Sequence, residues 1–116
     1  MKRIIILLLA VFLAMPLMAE AAGDTPCISS GLLVASAVLH GGKELCSVLI
    51  ITDGTNAATA TIYDNATTSS GTVLFKGTVA GASNFGGGDA GSPVMAGNGL
   101  YLLLSGTGAS AIVFYR

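Results

Sequence analysis

Tryptophan is absent, histidine occurs once, and charged residues make up only 9% of this 116-residue chain. Each shortage removes a class of function. Five Lys and Arg with no basic run cannot neutralise a track of phosphates, so a basic nucleic-acid binder is excluded. Little charge beside 53% hydrophobic residues is the reverse of the composition that keeps a chain disordered. The single histidine, His40, adjoins Gly41-Gly42, and no serine lies in Gly-x-Ser-x-Gly. A general base needs a nucleophile and an orienting acid, and the pattern offers neither beside it. Two cysteines without a CxxC, plus one histidine, fall short of a metal-ligand set. The sequence therefore predicts no enzyme, no cofactor and no metal.

What the chain does have begins with an export segment. Lys2 and Arg3 start it, Ile4 to Met15 is uninterrupted apolar sequence, and Pro16 precedes Ala19-Glu20-Ala21. That order is the basic, apolar and small-x-small plan of a secretory signal peptide. A spanning anchor needs about 20 apolar residues, and Pro16 and Glu20 interrupt this run early. Residues 1–21 are thus expected to form a signal helix that is removed, leaving residues 22–116 as one domain. The product is secreted, periplasmic or displayed at the cell surface, with no stable membrane insertion after cleavage.

Export carries Cys27 and Cys46 into an oxidising compartment, where two cysteines allow one intramolecular pairing. Beyond them the hydrophobic period is two. Ala58, Ala60 and Ile62 alternate with Thr59, Thr61 and Tyr63, and Thr72 to Val79 alternates similarly. Leu45 to Thr52 and Ala111 to Tyr115 are apolar at every second residue on both faces. Such strands are central to a fold or covered by a partner. Leu32 to Leu39 is taken as a further strand. His40–Lys43, Asp53–Asn56 and Gly106–Ala109 supply turns, with Asp53 and Asp64 bonding nearby backbone amides. The expectation is an all-β, antiparallel β-sandwich or jelly-roll-like fold of about seven strands.

Gly81 to Pro93 lacks periodicity and is expected to be a long loop. Its Asn84, Phe85 and Asp89 are candidate interaction residues. Phe85 has two readings, as an aromatic contact for a sugar or subunit, or as a plug at one end of the sandwich. Val113 joins the candidates because the last strand could lie at a sheet edge and pair with a neighbour.

Ala60-Thr61-Ile62-Tyr63-Asp64-Asn65-Ala66-Thr67 and Ser70-Gly71-Thr72-Val73-Leu74 are followed by Asn98-Gly99-Leu100-Tyr101, Ser105 to Ala109 and Ile112-Val113-Phe114-Tyr115. Together they resemble small β-sandwich proteins found among the structural genes of bacteriophages and in bacterial genomes. The resemblance implies a non-enzymatic virion or particle component. The early cysteine pair and penultimate Tyr115 also resemble chaperone–usher pilins, which implies a strand supplied by the next subunit along an open edge.

The function expected is an exported, non-catalytic structural or assembly protein whose partner is itself or a particle surface. A secreted carbohydrate- or surface-binding module is the alternative, though no Trp and three Tyr equip it sparsely for stacking on sugars. The first expectation is tested by intact mass. Protein recovered from periplasm or medium should lack residues 1–21, whereas a full-length mass in the membrane fraction would identify an anchor.

Overall fold

Alternation in the sequence becomes eight strands in the computed structural model, which describes residues 25–116 and, of residues 89–92, the backbone alone. The export segment expected at 1–21 lies outside the described residues. The strands are β1 (Ile28–Ser29), β2 (Ala37–Leu39), β3 (Glu44–Ile51), β4 (Ala58–Asp64), β5 (Val73–Val79), β6 (Phe85–Met95), β7 (Leu100–Ser105) and β8 (Ser110–Tyr115). No helix occurs among the described residues.

Two four-stranded antiparallel sheets form, ordered β1-β8-β3-β6 and β2-β7-β4-β5. First pairs with last, second with seventh, third with sixth and fourth with fifth. This is the jelly-roll order, as if one long hairpin had been rolled over onto itself. Only the link between β4 and β5 joins neighbours in one sheet. The other connections arch from sheet to sheet, including the compact turns at 40–43, 53–56 and 106–109. In the last of these Gly106 and Gly108 take φ of 115° and 69°, a region that a side chain disfavours.

Inward-facing positions build the core between the sheets. Leu45, Val48 and Ile50 of β3 and Ala111 and Val113 of β8 meet Ala58, Ala60 and Ile62 of β4 and Leu100 and Leu102 of β7. Leu45 and Val48 are three apart, so strict alternation would send one of them outward. A bulge resolves this: Leu45 lies opposite Tyr115 and Ser47 opposite Phe114, leaving Cys46 without a ladder partner. Cys46 is bonded instead to Cys27, with a Cα–Cα distance of 6.5 Å. The expected disulfide is present.

Three expectations need correction. Gly81 to Pro93 is not an irregular loop, because β6 occupies most of it. Its period is invisible in the sequence because glycine supplies the inward positions. A Cβ on Gly88 would lie 2.3 Å from Phe75 Cε2 and one on Gly86 2.7 Å from Val79 Cγ2. The side chains of β5 take the volume that β6 leaves empty. Leu32 to Leu39 is a strand only from Ala37 onward, while Leu33 bridges Ala111 through paired hydrogen bonds of 2.8 Å. Finally, β8 is not at an edge. Residues 28–33 run along one side of it and β3 along the other, and Val113 is 0% exposed. Val113 is therefore a core residue and no surface contact.

The disulfide closes a sequence separation of 19 residues and ties the arm carrying β1 to the bulge in β3. Closing such a loop stabilises a domain by about 3 kcal/mol in the chain-entropy account. Replacing both cysteines by Ala should lower the Tm of the exported protein by at least about 10 °C in calorimetry. An unchanged Tm would show that the arm docks without the bond.

Candidate functional site

Residues on the outer face of the β1-β8-β3-β6 sheet are fixed by register. Val48, Ile50, Ala111 and Val113 point into the core, so Leu49, Ile51, Ile112 and Phe114 point away from it. Leu49 lies opposite Ile112 on one side and Gly87 on the other. Ile51 lies between Ser110 and Phe85, and Ser47 adjoins Phe114. A sheet with one solvated face ordinarily turns polar residues outward. Here the outward row is apolar and only half-buried, and Phe85 is 69% exposed.

The end of this face forms a shallow groove of about 530 Å³, lined by Leu49, Ile51, Thr52, Asp53, Asn84 and Phe85. Thr52 sets its shape. The Thr52 N–H donates to the Asn84 carbonyl at 3.0 Å, its hydroxyl donates to the Ser83 carbonyl, and the Gly54 N–H donates to that hydroxyl at 3.2 Å. These bonds hold the segment entering β6 against the end of β3, so Phe85 stands at a defined place on the rim. Thr52 is 8% exposed, and a buried hydroxyl with its partners satisfied favours one arrangement over many.

Asp53 closes the groove at the arch after β3. Its Oδ1 accepts the N–H groups of Thr55 at 2.8 Å and Asn56 at 2.7 Å, and Oδ2 accepts the Asn56 side-chain amide at 2.8 Å. The Asn56 N–H foremost, then its side-chain amide and the Thr55 N–H, hold this carboxyl below the usual value of 3.8. Asp64 does the same at the opposite end of the molecule, across a long stretch of chain. It accepts the Asn98 N–H at 2.7 Å and the Gly97 N–H at 3.2 Å. The Asn98 amide lowers its pKa most, desolvation opposes, and the amides of Gly97 and Gly99 add to the lowering. Both aspartates are turn-fastening groups, as their sequence context suggested.

A second concavity of about 250 Å³ lies near Asp64, lined in part by His40, Gly42, Lys43, Ala66 and Asn98. His40 is exposed in the arch between β2 and β3. Among the described residues no three His, Cys, Asp or Glu side chains gather as a ligand set, and no helix is long and apolar enough to cross a membrane.

Of the residues singled out in the sequence, the structure brings Asn84 and Phe85 together on one groove. Asp89 pairs with Ser47 through the backbone, and its side chain lies outside the described residues. Val113 is on the opposite, buried side of its sheet. Leu49, Ile51, Ile112 and Phe114 were missed as site residues, although apolar character on both faces of their strands was the signal for them. Compared with protein families, curated proteins and solved structures, the chain matches none.

The lowered carboxyls make stability depend on acid with a definite sign. Their contribution is complete above the unfolded value of 3.8 and is lost as pH falls through the folded-state values. Calorimetric Tm should fall on acidification through that window. The fall should be shallower in the Asp53→Asn/Asp64→Asn variant, whose neutral amides cannot gain a proton there.

Proposed function

We propose that this chain is an exported, non-catalytic assembly component that holds a protein partner, either its own copy or the surface of a particle or cell. The single observation carrying this reading is the apolar outward row of Leu49, Ile51, Ile112 and Phe114, continued by exposed Phe85. Contiguous exposed apolar surface costs solubility unless something covers it, and so marks contact sites. The Cys27–Cys46 bond fits an oxidising compartment outside the cytoplasm. Jelly-roll domains serve in viral shells and in lectins alike, so topology supports a virion-like role and a sugar-binding one equally.

A particular feature favours the carbohydrate-binding alternative. Tyr63 and Tyr101 lie directly opposite each other on β4 and β7, half-buried, on the outer side of the second sheet. Two adjacent rings could present a stacking platform. The apolar row is larger and lies around a shaped groove, and it is preferred for that reason.

Fractionation of producing cells and their released particles separates the two readings. The protein should co-sediment with an envelope or particle fraction, and Phe85→Ser should release most of it, several-fold or more, without lowering Tm. Release by Tyr63→Ala/Tyr101→Ala instead, with retention on a polysaccharide column by the unaltered protein, would support the sugar-binding reading and overturn the first.

A further inference from the structure

The groove and its rim residue have matching shapes and chemistry. Phe85 projects, 69% exposed, beside a hollow floored by Leu49 and Ile51. Part of the hollow exists because β6 carries Gly87 at the ladder position beside Leu49, so no side chain flanks Leu49 on that strand. A Phe ring has a volume of order one-third of the groove, so room remains for a second ring beside the resident one.

We propose that the occupant of this groove is Phe85 of a second copy, inserted reciprocally about a two-fold axis, so that two β1-β8-β3-β6 sheets pack face to face. This rests on the assembly reading above and names its partner and contact.

Charge favours a copy over an unlike partner. The ladder positions of the face are Ser47, Leu49, Ile51, Ser110, Ile112, Phe114, Phe85 and Gly87, none ionisable. The charged groups described near it sit at the ends and are already engaged, Asp53 in its arch and Glu44 with Arg116. A face without charge meets its own copy without burying an unpaired ion, which costs several kcal/mol per group. An isologous contact also places each knob opposite the same groove on its partner. The packing is of the kind that already joins the two sheets within the molecule, at about 10 Å separation.

Area sets the strength. Four strands about 4.8 Å apart and about eight residues long give a flat footprint of roughly 500 Å² per copy, against the ~800 Å² usual for stable partners. The dimer should therefore dissociate on dilution rather than be permanent. That weakness suits a contact that closes when many copies are held near one another.

Sedimentation of the exported, oxidised protein from about 1 µM to about 1 mM should show a monomer–dimer equilibrium. Phe85→Lys and Leu49→Asp should each weaken it by at least tenfold, while Val73→Lys, on an exposed position of the other sheet, should leave it unchanged. Reciprocity gives a sharper readout. In an equimolar mixture of the Phe85→Lys and Leu49→Asp proteins, one contact pairs the new ammonium with the new carboxylate and the other remains native. Mixing should restore association in a heterodimer. If Leu49→Asp fails to fold, Ile51→Asp takes its place in the mixture. A dimer insensitive to Phe85→Lys, or two weakened variants that mixing does not rescue, would overturn reciprocal insertion. Monomer at every concentration would overturn it as well. In that last case envelope or particle binding that still depends on Phe85 leaves the assembly reading standing with an unlike partner, and binding independent of Phe85 removes both.

Discussion

Pairing between β8 and β3 is the contact on which the remaining structure depends. It joins the end of the chain to its first long strand, and it places the β1–β8 pair and the β3–β6 pair in one sheet. Removing it would leave two ribbons, each too narrow to cover the second sheet. The contact joins residues far apart in sequence, and the ordering entropy of the intervening chain must be offset by burial on both strands. Leu45, Val48, Ile50, Ala111 and Val113 supply that burial on one side of the seam. The same seam then carries Leu49, Ile51, Ile112 and Phe114 on its other side. The strands most committed to folding are also the ones that offer contact surface.

That double use explains how far the sequence could be read. Period-two alternation located β4 and β5 closely because each has one buried and one wetter face. The apolar character of Leu45 to Thr52 and Ala111 to Tyr115 correctly indicated central strands. It gave no means of telling which half of each strand faced the core, because both halves are apolar. Val113 and Ile112 are neighbours with opposite fates, set by a register that depends on the bulge at Cys46. A bulge leaves little trace in a single sequence. The position of the last strand was misjudged because the arm at 28–33 that covers it contributes only two residues of regular strand.

The glycine run was opaque for a different reason. Periodicity is a property of side chains, and Gly86-Gly87-Gly88 has none. Its strand is specified from across the sandwich, by Phe75 and Val79 occupying the space where inward side chains would lie. Asn84 and Phe85 were nonetheless legible as site residues, since an aromatic among glycines has little local structure to bury it. Their companions on the groove belong to β3 and were recognisable as strand but not as site. The export segment and cysteine pair rest on local patterns, and of these the pair joins within the fold as its composition implied.

The two ends of the described chain meet. The Arg116 guanidinium donates to the Thr25 carbonyl at 2.8 Å and pairs with Glu44 at the start of β3, whereas the groove lies beyond Ile51 at that strand's finish. Eight extended residues, about 27 Å, separate them. The domain thus has a polarity, a stem where both termini emerge and a tip bearing the aromatic hollow. A carrier fused at either terminus would hold the tip outward, and a short peptide joining Arg116 to Thr25 would allow the chain to be reopened elsewhere, as circular permutation requires. Arrayed on a support by their stems, such domains would present their adhesive ends all in one direction.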